Sequence, residues 1–183
     1  MNDGLGHLNS LGPREAESEF LKCCGSTNWA RRIVDQRPFT GVDELLSKAD
    51  TIWWALERSD WLEAFRSHPK IGEKRSAQAA SAGTRAWSEQ EQSAAKKASA
   101  EMMQALADGN REYEQKFGYI FIVCATGKTS EEMLAILRDR LKNDAREELR
   151  TAAEEQRKIT RLRLQKLLSV RETENQKPKI KEQ

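Results

Sequence analysis

The sequence predicts an all-α fold: a single domain built as a bundle-like array of about seven or eight helices. Apolar residues recur at spacings of three and four along most of the chain, which is the pattern of helices that bury one face. Capping side chains, prolines and glycines separate these stretches. Residues 118–125 alone have the composition of a strand, and a lone strand has no partner for its backbone groups. We therefore expect an extended apolar segment within a helical core.

The N-terminal half is predicted to form four helices after a flexible tail of residues 1–8. That tail is polar and Gly-rich. Proline suits the first turn of a helix, serine caps an N-terminus, and glycine or proline ends a helix. The first predicted helix starts at Pro13 and stops at Gly25, and the second starts at Ser26 and stops at Pro38. The third starts near Val42 and carries apolar residues as far as Leu56, and a short fourth helix covers residues 60–66.

The C-terminal half is predicted to begin with a long loop over residues 71–87, because small and polar residues without apolar periodicity predominate there. Ser88 starts a long helix that reaches about Phe117, with Gly109 as a kink or break. The structured domain is predicted to cover residues 9–170, and the charged residues 171–183 are predicted to be a linker or tail. Two further helices are capped by Thr129 or Ser130 and by Asn143–Asp144.

The composition excludes several classes of function. The net charge is +2, from 31 basic and 29 acidic residues, which leaves no electrostatic footprint for nucleic acid. No apolar run approaches the roughly 20 residues that span a bilayer. Three cysteines without a disulfide or metal spacing indicate a reducing compartment and no dedicated metal site. No secretory signal and no Gly-rich phosphate loop are found, so we expect an enzyme of this kind to work without metal or nucleotide.

His68 is the best candidate for proton transfer. Only two histidines occur in the chain, and the other, His7, lies in the predicted tail. Pro69 keeps the backbone of His68 out of the helical region, so the imidazole stands on a stiff loop after a helix. Imidazole titrates near neutral pH, which suits acid–base catalysis. The alternative is a loop histidine that merely caps the preceding helix.

Glu91 and Arg163 are the other charged candidates. Ser88-x-x-Glu91 is a capping box, which explains both residues structurally, although a carboxylate held at a helix N-terminus can also accept N–H groups of a ligand. Arg163 lies within about 40° of Ile159 and of Leu167 on the last helix, so it points with the apolar face. A buried guanidinium needs acceptors, either a structural carboxylate or an anionic ligand.

Four motifs in chain order carry a resemblance to a known family: His68-Pro69-x-Ile71-Gly72; Ser88-x-x-Glu91-Gln92; Phe117-Gly118-Tyr119-x-Phe121-Ile122-x-Cys124-Ala125; and Lys158-Ile159-Thr160-x-Leu162-Arg163-Leu164. Together they resemble the OHCU decarboxylase family, which acts on 2-oxo-4-hydroxy-4-carboxy-5-ureidoimidazoline (OHCU). The resemblance covers roughly Leu8 to Leu168. Two N-terminal stretches resemble plant members in particular: Phe20-Leu21-x-Cys23-Cys24-Gly25-Ser26 and Ile52-Trp53-Trp54.

The resemblance implies an all-α, cofactor-free carboxy-lyase, typically a homodimer, that converts OHCU to (S)-allantoin at the end of urate degradation. In plant members this domain is the N-terminal half of a bifunctional protein, whose transthyretin-like second half hydrolyses 5-hydroxyisourate. The charged residues 171–183 would then begin the interdomain linker. Family members work in peroxisomes or the cytoplasm, and this sequence does not end in Ser-Lys-Leu.

The resemblance also assigns roles at individual positions. His68, Glu91 and Arg163 match catalytic residues of the family. Pro69 shapes the pocket beside the histidine, and the unpaired backbone amides of the extended segment bind the substrate ring. The matching substrate-binding positions are Pro69, Ser88, Gln92, Phe121 and Ile122. No family pattern covers residues 73–87. The rival hypothesis is a non-catalytic helical module that docks a protein partner.

Overall fold

The computed structural model describes residues 3–70 and 100–175, and its regular structure in those ranges is helical. Eight helices lie in the described ranges: α1 (Asp3–Ser10), α2 (Pro13–Cys23), α3 (Thr27–Val34), α4 (Val42–Trp54), α5 (Arg58–Arg66), α6 (Ala100–Phe117), α7 (Ser130–Arg140) and α8 (Ala145–Asn175). No strand occurs in the same ranges, so the all-α prediction is confirmed. No helix of the described chain has the length and hydropathy needed to cross a membrane. The predicted loop and the helix start at Ser88 lie outside the described residues.

The chain divides into two compact units. The first consists of residues 1–56 together with residues 160–183, and the second of residues 57–159. The long helix α8 therefore belongs to both, with its first half in the second unit. The bounds of the predicted domain, residues 9–170, stay a prediction.

The prediction of a flexible tail over residues 1–8 is wrong, because most of this stretch forms α1. Leu5 and Leu8 stand three positions apart on the buried side of this helix and are 4% and 2% exposed. Gly4 faces the backbone of Leu168, where an added Cβ would lie 2.9 Å from the Leu168 Cα. The glycine in this stretch therefore permits close packing instead of marking a loose end.

The core of the first unit contains a cluster of three aromatic side chains. Phe20 of α2 meets Trp29 and Phe39 edge-on, with ring centroids 6.0 and 6.4 Å apart. The indole N–H of Trp29 donates to the carbonyl oxygen of Ala49 at 3.1 Å, which joins α3 to α4. Ser26 accepts from the Trp29 backbone N–H at 3.3 Å, so the predicted N-cap of α3 is confirmed.

In the second unit α6 packs against α7. The sequence predicts a kink or break at Gly109, and a break is wrong, since α6 continues through this residue. An added Cβ at Gly109 would stand 2.7 Å from Leu137 Cδ2, so the glycine serves the close approach of the two helices. Thr129 starts α7 with a reciprocal cap: its hydroxyl accepts from the Glu132 N–H at 3.2 Å, and the Glu132 carboxylate accepts from the Thr129 N–H at 2.7 Å.

The last helix begins at the predicted cap. Asp144 Oδ1 accepts from the backbone N–H groups of Arg146 and Glu147 at 2.8 and 2.9 Å. These hydrogen bonds lower the pKa of Asp144. The helix extends to Asn175, so residues 171–175 of the predicted tail are helical. Arginine and glutamate are good helix formers, which lets charged sequence continue a helix that already exists.

Candidate active site

The segment between α6 and α7 is extended and buried, as predicted. Residues 119–125 are each buried, with exposures from 2% to 8%, although they form neither helix nor strand. Gly118 and Gly127 flank the segment with φ angles of 80° and 79°, which lets the chain turn out of α6 and back toward α7. A buried stretch of this kind needs hydrogen-bond partners other than a neighbouring strand.

Side chains supply those partners in the centre of the segment. Asn110 of α6 is 3% exposed, and its Oδ1 accepts from the Phe121 N–H at 3.0 Å. Arg140, the last residue of α7, donates from Nη1 to the Ile122 carbonyl oxygen at 2.8 Å. The sequence predicts unpaired backbone N–H groups at Phe121 and Ile122, and this expectation is wrong for Phe121. The Ile122 N–H has no acceptor among the residues that the structure describes.

Cys124 is held in the same way at the far end of the segment. Its N–H donates to Glu155 Oε2 at 2.7 Å, and its carbonyl oxygen accepts from Lys128 Nζ at 2.7 Å. The extended conformation is thus maintained by side chains from α6, α7, α8 and the loop after the segment.

The guanidinium of Arg140 is part of a buried cluster. Its Nε donates to Glu148 Oε1 at 2.8 Å, and the Tyr113 hydroxyl donates to the same oxygen. Asn143 Nδ2 donates to the other carboxylate oxygen at 2.8 Å. The Arg140 and Glu148 side chains are 8% and 0% exposed. The guanidinium also lies over the Phe121 ring, 4.7 Å from its centroid.

Burial sets the protonation of this cluster. Burial alone would lower the pKa of Arg140. The hydrogen bonds to Glu148 and the negative charge of that carboxylate outweigh burial, so the pKa of Arg140 is raised. Burial raises the pKa of Tyr113 far above that of a free phenol, and donation to Glu148 adds to the effect. Burial, with the charge of Glu148, raises the pKa of Tyr119 to about 12. Both phenols therefore stay protonated near neutral pH, and the Tyr113 hydroxyl donates to Glu148.

His68 stands directly after α5, where the sequence places it. The helix ends at Arg66, and the His68 backbone N–H donates to the Phe65 carbonyl oxygen at 3.2 Å. Pro69 follows and has no N–H with which to continue the helix. The backbone N–H groups of Ser67 and His68 donate to the carbonyl oxygens of Ala64 and Phe65, so the backbone of His68 caps the helix, and its side chain is half-buried.

Two contacts tie the His68 stretch to the rest of the second unit. The ring of Phe65 lies against that of Tyr119, with centroids 5.3 Å apart, so the end of α5 touches the extended segment. Lys70 pairs with Glu114 of α6 at 2.7 Å. The histidine and its proline are held between these two anchors.

Arg163 belongs to the first unit and is 1% exposed, which confirms the predicted inward orientation. Burial raises the pKa of the Cys23 thiol, and the nearby charge of Arg163 opposes that rise in part. Arg161, two positions earlier on α8, has a side chain that is 37% exposed and pairs with Asp50 at 2.8 Å.

The remaining predicted site residues, Ser88, Glu91 and Gln92, lie outside the described residues, so their roles stay predictions. Within the described ranges no three His, Cys, Asp or Glu side chains are grouped to hold a metal ion. A cleft of about 300 Å³ between α6 and α7, lined by Gly109 and Arg138 among others, contains none of the predicted site residues.

Sequence comparison decides the family. The model of the family described as OHCU decarboxylase matches residues 9–165, which is most of the chain. The chain belongs to the OHCU decarboxylase family. The resemblance inferred from the four motifs is therefore confirmed.

Members of the OHCU decarboxylase family from distant organisms are similar to this chain. The chain is 40% identical over 153 residues to the uric acid degradation bifunctional protein TTL of Arabidopsis thaliana, covering 84% of this chain and 47% of that protein. It is 29% identical over 161 residues to the 2-oxo-4-hydroxy-4-carboxy-5-ureidoimidazoline decarboxylase of Haloferax volcanii, covering 87% of this chain and 93% of that protein. The chain spans about half the length of the Arabidopsis relative.

A solved structure of an OHCU decarboxylase in the presence of (S)-allantoin has the same fold. It shares 42% sequence identity with a TM-score of 0.71, over 82% of this chain and 97% of that one.

Sequence reasoning missed Arg140 and Glu148 in this member of the OHCU decarboxylase family. Arg140 follows Leu137 by three positions and Met133 by seven, so it shares their buried face. Glu148 precedes buried Ala152 by four positions on α8. The periodicity that predicted an inward Arg163 would have indicated both.

Proposed function

We propose that this chain catalyses the cofactor-independent decarboxylation of OHCU to (S)-allantoin, a carboxy-lyase step in urate degradation. The observation that carries the proposal is the match to the OHCU decarboxylase family over residues 9–165. The printed names of the Haloferax volcanii relative and of the similar solved structure support it. The described residues add a half-buried histidine and a side-chain-held extended segment in one unit.

The substrate provides its own electron sink. When the bond to the carboxylate breaks, carbon dioxide leaves and the electron pair moves toward the adjacent ring C=N, whose nitrogen takes a proton. The enol-like intermediate then loses its hydroxyl proton and gains a proton on the carbon that bears the ureido group. One proton thus replaces carbon dioxide overall. The chain must hold the ring, move protons and choose one face of the intermediate.

His68 is the proposed proton-transfer residue, at the hydroxyl or at the new C–H bond. A free imidazole titrates close to neutral pH, so it can both accept and donate a proton there. Its position after α5, between the Phe65–Tyr119 contact and the Lys70–Glu114 pair, supports a preorganised role.

The backbone of Phe121 and Ile122 is proposed to contact the substrate ring. The Phe121 N–H already donates to Asn110, so of these two residues it is the Ile122 N–H that is proposed to donate to the ligand. A rigid backbone donor costs little reorganisation when it binds a ring oxygen or nitrogen. Pro69 is proposed to shape the pocket beside His68.

Three polar residues complete the proposal. Glu91 would hold the ureido N–H groups, with Ser88 and Gln92 as further substrate contacts. Arg163 would stabilise charge that grows on a ring or hydroxyl oxygen. A tight clamp on the departing carboxylate would stabilise the ground state more than the transition state, so we do not assign Arg163 to it.

Assembly and location are also proposals. We infer a homodimer, fusion to a 5-hydroxyisourate hydrolase (transthyretin-like) domain in the full-length protein, and residence in peroxisomes or the cytoplasm. Relatives described as bifunctional, of which this chain covers 47% or less, support the fusion. Analytical ultracentrifugation tests the dimer: a sedimentation mass of one chain at micromolar concentration would contradict it.

Freshly generated OHCU tests the function directly. The decay of its absorbance is followed with native protein, with heat-unfolded protein and with buffer. We expect native protein alone to accelerate the decay and to yield allantoin. The rival, a helical module that docks a protein partner, predicts the same spontaneous decay in all three samples, and that result would overturn the proposal.

A further inference from the structure

The two predicted substrate contacts in the extended segment share one side-chain neighbour. Arg140 donates from Nη1 to the Ile122 carbonyl oxygen at 2.8 Å and stacks on the Phe121 ring at 4.7 Å from its centroid. It comes from the end of α7, whereas the segment precedes that helix. One guanidinium therefore touches both residues of the pair.

Arg140 is itself held firmly. Its Nε donates to Glu148 Oε1 at 2.8 Å, and its Nη2 donates to the Tyr113 hydroxyl at 3.2 Å. The second Glu148 oxygen is occupied by Asn143 at 2.8 Å. The Glu148 carboxylate thus holds one edge of the planar guanidinium, and Nη1 on the other side donates to the extended segment.

We propose that Arg140 is a positioning residue for substrate binding. Anchored by Glu148, it holds the Ile122–Val123 peptide group and the Phe121 ring, which flank the Phe121–Ile122 peptide group, and so sets the direction of the Ile122 N–H. The inference rests on the proposed function, in which that N–H meets the substrate ring. Arg140 itself contacts the peptide and the Phe121 ring and acts through them.

The variant Arg140→Lys distinguishes a positioning role of the guanidinium from an effect of its positive charge. Arg140→Lys keeps the positive charge beside Glu148, but one ammonium nitrogen cannot replace a fork that serves Glu148 and Ile122 from opposite ends. Arg138→Lys is the matched control, because Arg138 lies on the same helix and is exposed. Losing one fixed hydrogen bond in substrate recognition should raise KM about tenfold in Arg140→Lys, with kcat within about threefold of wild type. Arg138→Lys should match wild type in both constants.

A purely structural role gives a different result. It would lower the folded fraction and hence the apparent kcat while KM stays the same, and that outcome would overturn the proposal. The unfolding midpoint is measured alongside, and the kinetics are recorded well below it.

A spectroscopic measurement tests the positioning without turnover. The Ile122 carbonyl and the Val123 N–H belong to one peptide plane, so loss of the Arg140 hydrogen bond should shift the Val123 amide signal in Arg140→Lys and leave it in place in Arg138→Lys. An unshifted signal would overturn the proposal. If Arg140→Lys does not fold, wild-type protein still decides: a scalar coupling between Arg140 Nη1 and the Ile122 carbonyl carbon is expected, and its absence would contradict the inference.

The two proposals fail separately. Wild-type protein that does not accelerate OHCU decay would overturn the proposed function, while the Val123 signal would still report whether Arg140 fixes the peptide. Active wild-type protein with an unaltered KM in Arg140→Lys would overturn the positioning role alone.

Discussion

Glu148 and Arg140 form an ion pair in which the carboxylate is fully buried and the guanidinium nearly so, at 0% and 8% exposure of the side chains. The pair joins the first turns of α8 to the end of α7, and through Arg140 it reaches the extended segment. A buried pair of this kind contributes to the fold mainly because removing one partner leaves the other charge without compensation.

The first prediction concerns that pair. Glu148→Gln keeps the shape of the side chain but leaves the buried guanidinium without its counter-charge, so we expect a loss of about 3–5 kcal/mol in the free energy of unfolding. Urea denaturation followed by circular dichroism measures it. The control is Asp139→Asn, which breaks the exposed Lys142–Asp139 pair, whose side chains are 77% and 78% exposed. That control should change stability by no more than about 0.5 kcal/mol. Equal effects in the two variants would refute the importance of the buried pair.

The second prediction uses the fact that the chain has only two tyrosines, Tyr113 and Tyr119. Burial raises the pKa of both, that of Tyr119 to about 12, so folded protein should show no phenolate absorbance at pH 10. In urea, both phenols should titrate near their ordinary pKa of 10.0. A native titration centred near pH 10 would contradict the burial of these hydroxyls.

The same shift makes stability fall at alkaline pH. Because the pKa of Tyr119 is higher in the folded state, the unfolded state releases the proton first as pH rises. The stabilising effect is complete below about pH 10 and is lost between pH 10.0 and about 12. Tyr119→Phe should reduce this alkaline loss, measured as the unfolding midpoint against pH, and an unchanged slope would argue against it.

The third prediction tests α1. Gly4→Ala places a Cβ against the Leu168 backbone, 2.9 Å from its Cα, so we expect a loss of at least about 1 kcal/mol in the free energy of unfolding. Gly6→Ala is the control, because no atom lies within 4 Å of its added Cβ. It should stabilise by about 0.5–1 kcal/mol through helix propensity. If both variants behave alike, α1 does not pack as described.

The fourth prediction concerns Arg163, which is 1% exposed. Arg163→Lys keeps the charge but loses the planar fork, so we expect a lower kcat than that of wild type. The control is Arg161→Lys, whose partly exposed side chain pairs with Asp50, and which should leave kcat unchanged. A wild-type kcat in Arg163→Lys, together with lower stability, would assign Arg163 a structural role.

Local signals in the sequence predicted most helix boundaries correctly. The caps at Ser26, Thr129 and Asp144 each act within three residues of the helix they start, so they can be recognised from a short stretch of sequence. The inward direction of Arg163 followed from helical periodicity in the same way.

Non-local contacts account for what the sequence did not predict. Gly4 and Gly109 were interpreted as loose or kinked positions, but each faces a residue that is distant in sequence, Leu168 and Leu137. Likewise, the Phe121 N–H is used by Asn110, although the segment seemed to offer unpaired amides. The type of a residue and its neighbours in sequence do not reveal which distant group it will contact in the folded protein.

The handedness of the product formed by His68→Asn tests the central claim most directly. Wild-type protein, His68→Asn and His7→Asn are each mixed with fresh OHCU, and circular dichroism records the allantoin that forms. His7 is the other histidine of the chain and controls for the substitution itself. We predict (S)-allantoin from wild type and His7→Asn, and slow, racemic formation at the buffer rate from a folded His68→Asn. Rapid formation of (S)-allantoin by His68→Asn would contradict the account.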